Sequence, residues 1–178
     1  MLTLIIPIGP PGSGKTTLKT ILEETITTTK FYSSSRDEEY KKVIEEYHSK
    51  KKARRVLFDR MQNFFIQINQ DTSDNIIIYM DSCNGKQNIR DKFIEVLNPS
   101  TIIYINFRFQ NIEFLLSRTQ AREYHPTFPS DLAEQRETIL NCLKGISYQT
   151  SGDQKTVIID ISNEKEHESL VKQILNNC

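Results

Sequence analysis

The stretch LTLIIPIGPPGSGKT, residues 2–16, decides the architecture. Its first seven residues are an apolar run as long as a buried strand, and the run stops at Gly9. Residues 9–16 then follow G-x-x-x-x-G-K-[ST] through Gly9, Pro10, Pro11, Gly12, Ser13, Gly14, Lys15 and Thr16, and Thr17 enters a segment that reads as a helix over 15–24. In the order strand, glycine turn, helix, backbone N–H groups converge on phosphate oxygens and the positive end of the helix adds to them. Lys15 then reaches the β- and γ-phosphates of a nucleotide, and the Thr16 hydroxyl suits Mg²⁺.

Outward from this motif, strands and helices alternate. Strands are expected over 30–33, 75–80, 101–107 and 156–161. Helices are expected over 37–69 (in two pieces, broken near the basic stretch 48–55), 87–97, 112–122, 131–142 and 166–175. Such alternation implies right-handed βαβ crossovers and a parallel sheet covered on both faces. No N-K-x-D guanine-reading sequence is present, and 178 residues are too few for the large ATPase machines. The expected fold is therefore α/β, a three-layer parallel sheet with helices on both faces, of P-loop kinase type. It is read as one domain over 1–178, with a short arginine-bearing lid at about 118–130 and ligands at the carboxyl ends of the strands.

Lys+Arg and Asp+Glu each total 23, so no global field draws in a polyanion, and a nucleic-acid site has to be a local patch. The three cysteines share no metal-like spacing and suit a reducing compartment. No apolar stretch approaches the roughly 20 residues that span a bilayer. The expectation is a soluble, intracellular protein with no membrane partner.

Three further groups of residues bear on chemistry. Asp81 ends an apolar strand, where a carboxylate faces bound Mg²⁺ or the acceptor; a solvated turn aspartate before Gly85 is the competing reading. Arg36 and Asp37 follow a short strand that delivers them to the same sheet edge as the glycine loop. A carboxylate there can accept the proton of an attacking hydroxyl. Ser35 and Glu38 also make a capping box with Asp37 in the first helical turn, and both roles can hold at once. Arg118 and Arg122, four apart, share a helix face just before Pro126 and Pro129. They read either as two exposed arginines or as a pair that closes over a transferring phosphoryl group. The basic stretch 50–55 is either a phosphate track or a solvated helix face.

In this order the residues resemble the polynucleotide 5′-kinases of the bacteriophage type and the kinase modules of RNA-repair and tRNA ligases. The resemblance covers about the first 140 residues: the loop 9–16, the tract 31–40, the run 47–52, Asp81, and the pair Arg118 and Arg122. It implies Lys15, Asp37, Arg118 and Arg122 as catalytic residues, with Asp37 the general base for a 5′-hydroxyl. It further implies Arg36, Lys41 and Asp81 on the acceptor, Thr16 and Asp81 on Mg²⁺, ATP or GTP as donor, and an RNA or DNA 5′-OH end as partner. The family's arginine shortly after the catalytic aspartate has no counterpart, since Lys41 and Lys42 are offset. No phosphatase D-x-D-x-T or ligase K-x-D-G sequence is present, so any ligase or phosphatase partners are separate. The alternative is a small-molecule kinase for a nucleoside, sugar or cofactor precursor, with the same donor machinery and an enclosed acceptor pocket.

Overall fold

The computed structural model describes residues 1–121, 128–163 and 167–178. The elements run β1 (Leu2–Ile8), α1 (Lys15–Thr25), β2 (Lys30–Ser35), α2 (Arg36–Tyr47), α3 (Lys50–Asn69), β3 (Ile76–Asp81), α4 (Gln87–Leu97), β4 (Thr101–Phe107), α5 (Ile112–Gln120), α6 (Leu132–Gly145), β5 (Thr156–Ile161) and α7 (His167–Leu175). The five strands form one parallel sheet in the order β2-β3-β1-β4-β5.

Alternation along the strands builds two cores. Ile5, Ile77, Tyr79, Ile103, Ile105 and Phe107 meet Leu18 and Leu22 of α1, Leu115 and Leu116 of α5, Ile139 of α6 and Ile174 of α7. On the other face Leu4, Ile6, Ile8, Ile78, Met80 and Ile102 meet Phe65 and Ile68 of α3 and Phe93 and Leu97 of α4. Strands hidden on both faces explain why these segments read as continuous apolar runs rather than alternating ones. The expected three-layer α/β architecture is what the chain adopts.

Several boundaries differ from expectation. β2 runs two residues further, to Ser35, because each serine finds a register partner on β3, ending at Ser35↔Asp81. Asp81 therefore closes β3 from within rather than stopping it. The two pieces of the long helical segment part at His48, which holds φ 50°, and Ser49 then caps α3 by accepting from the Lys52 N–H. The break thus falls at the start of the basic stretch 48–55, as expected, and residues 50–55 form the first turns of α3. Arg122, Pro126 and the middle of the expected lid lie outside the described residues. Among the described residues, no helix is long and apolar enough to cross a membrane.

β1 sits at the centre, and the chain leaves it first toward β3 and β2, then toward β4 and β5. This reversal opens a crevice at the carboxyl end of β1, the usual ligand position in doubly wound sheets. Pro7 sharpens it. Pairing of β1 with β3 ends at Ile5↔Tyr79, whereas pairing with β4 continues to Ile8↔Asn106. Proline has no N–H for the β3 side, and its carbonyl is taken instead by the Asn84 side-chain amide at 2.8 Å.

Candidate active site at the phosphate loop

The loop 9–14 is shaped by close approaches that exclude side chains. A Cβ on Gly9 would lie 2.6 Å from the Phe107 Cβ, and one on Gly12 would lie 2.6 Å from the Leu115 carbonyl oxygen. Gly12 and Gly14 also hold φ of 80° and 97°, in the left-handed region. The loop is thereby wedged between β4 and α5. Gly14 is the N-cap of α1 and carries no side-chain cap, whereas Ser35, Ser49, Asn111 and Asp131 cap α2, α3, α5 and α6. The first N–H groups of α1 therefore lack the side-chain acceptor that those four helices supply, and they suit an external anion.

The Lys15 side chain is buried and folds back over the loop. Its ammonium donates to the carbonyls of Gly9 (3.0 Å) and Pro10 (2.7 Å) and to the Ser13 hydroxyl (3.3 Å). Its own carbonyl accepts from the buried Tyr79 hydroxyl at 2.7 Å, which pins the first turn of α1 to β3. Thr16 is exposed, and its hydroxyl donates to Asp81 Oδ1 at 3.2 Å. Asp81 is 6% exposed; burial raises its pKa above the usual carboxylate value, and the nearby Lys15 charge opposes that only in part. A hydroxyl and a buried carboxylate are hard oxygen donors, and a carboxylate under desolvation gains from a cation. The pair fits Mg²⁺, which keeps most of its shell for phosphate and water. Among the described residues no group of three or more acidic, histidine or cysteine side chains forms a metal cage, so one carboxylate plus phosphates is the arrangement available.

The other expected site residues distribute unevenly. Ser35 caps α2 by accepting from the Glu38 N–H at 3.4 Å, which is the serine half of the expected capping box, and Asp37 stands in the first turn of α2. Just past the Ser35↔Asp81 register pair, Asp37 is half-buried, and its charge reaches the Cys83 thiol together with those of Lys15 and Asp81. The four residues 15, 37, 81 and 83 therefore share one neighbourhood. Arg118 lies one turn along α5 from Leu115, the residue against Gly12, and its guanidinium stands 5.7 Å from the Phe114 ring. Arg36 is exposed.

Beside this centre a polar pocket of about 380 Å³ opens at the carboxyl end of β2. Ser33, Ser34 and Ser35 form its floor, Glu38, Glu39 and Lys42 of α2 one wall, and Arg60, Asn63, Phe64 and Gln67 of α3 the other. It is Lys42 that lines it, not the expected Lys41, which pairs along α2 with Glu45 at 3.9 Å, and not Arg36. Helical spacing explains the difference, because residues 38, 39 and 42 share a face and 41 turns away from it.

Two supports went unforeseen. Asn84, at φ 46°, bridges β1 and β3 by donating to the carbonyls of Pro7 and Met80, and its own carbonyl accepts from the fully buried Arg90 at 2.8 Å. An asparagine before a glycine reads as turn composition, and a lone arginine in an amphipathic helix reads as surface; neither pattern announces a buried strut.

No protein-family model matches this sequence, and no curated protein matches it. Solved structures do. A candidate kinase from Chloroflexus aurantiacus is 18% identical with a TM-score of 0.68, over 99% of this chain and 98% of that one. Kti12 from Chaetomium thermophilum, solved with ADP-AlF3, is 16% identical with a TM-score of 0.62, over 98% of both chains. Shikimate kinase from Aquifex aeolicus is 20% identical with a TM-score of 0.55, over 99% and 95%. The fold is that of the P-loop kinases. Of these three, shikimate kinase is named for a small-molecule acceptor.

Proposed function

We propose that this chain is a P-loop kinase of a small hydroxyl-bearing molecule, using ATP or GTP as donor. The observation that carries the reading is the joining of two features at one sheet edge. These are the glycine loop with its Thr16–Asp81 pair, and the pocket of about 380 Å³ beside it, lined by the β2 serines and by charged, amide and apolar side chains of α2 and α3. That volume suits a metabolite-sized acceptor. The neighbours whose names state an acceptor, such as shikimate kinase, support the same reading.

The triphosphate would lie on the loop N–H groups and the start of α1, with Lys15 moving from its carbonyl contacts to the β- and γ-phosphates. Thr16 and Asp81 would hold Mg²⁺, which when bound offsets charge on the transferring phosphoryl group. Asp37 would accept a hydrogen bond from the acceptor hydroxyl and take its proton as the new P–O bond forms. Arg118, with Arg122 beyond the described residues, would meet the donor phosphates from the lid.

The test is label transfer from γ-labelled ATP or GTP, with Mg²⁺, to nucleosides, sugars, polyols and hydroxy acids, alongside 5′-hydroxyl RNA and DNA oligonucleotides. Label on a small acceptor supports the proposal; label confined to oligonucleotides restores the polynucleotide reading. With the best acceptor, Asp37→Ala is expected to slow transfer by roughly 10²–10⁴-fold while ADP still raises the melting temperature. Undiminished turnover in that variant removes Asp37 as the base.

A further inference from the structure

Three serines end β2, and their hydroxyls have different fates. The Ser33 hydroxyl donates to Glu23 Oε1 of α1 at 3.0 Å, and the Ser35 hydroxyl accepts from the Glu38 N–H as the cap of α2. Ser34 faces the other way from both. Side chains alternate along a strand, and Tyr32, two positions earlier, sets its ring against Phe64 of α3. Ser34 is 9% exposed, and its hydroxyl has no partner among the described residues. It lines the pocket between α2 and α3. A hydroxyl held this deep and left without a protein partner is placed for a group that enters the pocket.

The charges of the pocket are divided just as unevenly. Among the described residues its cations are Lys42 and Arg60, and both are engaged. Glu39 lies 2.6 Å from the Lys42 ammonium and 3.7 Å from the Arg60 guanidinium, which also pairs with Glu46. Glu38 lines the pocket too, yet among the described residues no hydrogen bond or ion pair reaches its carboxylate. On α3 the amides of Asn63 and Gln67, four apart on one face, are without partners in the same sense. A ligand is therefore offered a carboxylate, a hydroxyl and two amides, and no unengaged cation among the described residues. An anionic acceptor would have to pull a glutamate off Lys42 or Arg60 and would then meet Glu38 as a like charge. A cationic one meets neither obstacle.

We infer that the acceptor is an amine-bearing polyol, an amino alcohol or amino sugar, whose ammonium is held by Glu38 and whose hydroxyls bond to Ser34, Asn63 and Gln67. The Glu38 carboxylate accepts from the ammonium, a charge-assisted bond that a neutral polyol cannot match. Ser35, at the edge of the pocket, is the register partner of Asp81, so a ligand held here lies at the end of β2 nearest the phosphate loop. One of its hydroxyls is then directed to Asp37, which precedes Glu38 in the first turn of α2. The class of ligand rests on the pocket alone, whereas its phosphorylation rests on the kinase reading.

The experiment offers the full chain two matched sets of ligands: glucosamine, glucose and glucuronate, then serinol, glycerol and glycerate. Melting temperature with Mg²⁺, with and without ADP, reads binding, and label transfer from γ-labelled ATP or GTP reads turnover. In at least one set the amine is expected to raise the melting temperature most and take the most label, and the acid least. Glu38→Gln should raise the KM for that amine roughly tenfold, with kcat nearly unchanged, and narrow its advantage over the neutral member. Ser34→Ala should weaken the amine and the neutral member alike. Lys42→Gln releases Glu39 and should not weaken the amine. A preference for the acid, an amine response untouched by Glu38→Gln, or no thermal response to any member would overturn the inference. If an amine raises the melting temperature, Glu38→Gln removes that rise, and no member takes label, the pocket assignment stands and the kinase reading falls.

Discussion

The β2–β3 strand pair has a shielded carboxylate near each end, and the protein treats the two in opposite ways. Near the amino end, Asp71 is covered by its own partners, with its side chain 7% exposed. Lys30 forms an ion pair with it, Tyr32 donates its hydroxyl, and Ser73 donates both N–H (2.9 Å) and hydroxyl (2.6 Å). Led by the Lys30 bond, these hold its pKa well below the usual carboxylate range. At the carboxyl end, Asp81 lies deeper, receives a hydrogen bond at 3.2 Å from Thr16, and has its pKa raised by burial. One carboxylate is satisfied by the chain; the other is left wanting a cation. The cost at Asp81 is one that a cation bound there would offset.

The largest effect expected from breaking this contrast is at Asp81. Asp81→Asn should lower phosphoryl transfer by roughly 10²-fold or more, since it removes the carboxylate proposed to hold Mg²⁺. The same variant should melt higher than the parent in the absence of nucleotide. The sign follows from the raised pKa: the protonated form is the one the fold favours, so the ionised group costs stability as pH rises above the carboxylate range. Melting curves at pH 7 and pH 4 check it, because the gain should shrink at the lower pH. A lower melting point for Asp81→Asn at pH 7 would erase the contrast.

An intermediate effect of opposite sign is expected at Asp71. Asp71→Asn should destabilise the protein near neutral pH and leave nucleotide binding alone. With a depressed folded pKa, the contribution of Asp71 is present above about pH 4 and fades as pH falls below it. Urea midpoints of parent and variant should therefore converge at low pH; a constant gap would mean the carboxylate's charge is not what matters. The smallest effect is expected from Tyr32→Phe, which removes one of several donors and keeps the ring against Phe64. A loss of about 1 kcal/mol or less in the same urea experiment would show that Asp71 is held redundantly.

Much of the fold was legible along the chain. Apolar runs between glycines and turn residues gave the strands, and their double-sided burial is what apolar runs without alternation mean. The Ser35 cap of α2 was readable because a cap is local chemistry. Boundaries moved where partners across the sheet decide them, as at β2, whose serines have little strand preference of their own but pair in register with β3 up to Asp81.

By itself the sequence determined the loop and the residue types at its edge, because Gly9, Gly12, Gly14, Lys15 and Thr16 act through backbone shape and reach within a few residues. Only the tertiary structure decided which distant groups join them. Asp81 comes to Thr16 across 65 positions, Asn84 fills the place where Pro7 breaks the ladder, and Lys42 rather than Lys41 faces the pocket. The physical reason is that local pattern sets backbone geometry, whereas burial and charge at a site are sums over neighbours that the chain supplies only after it has folded.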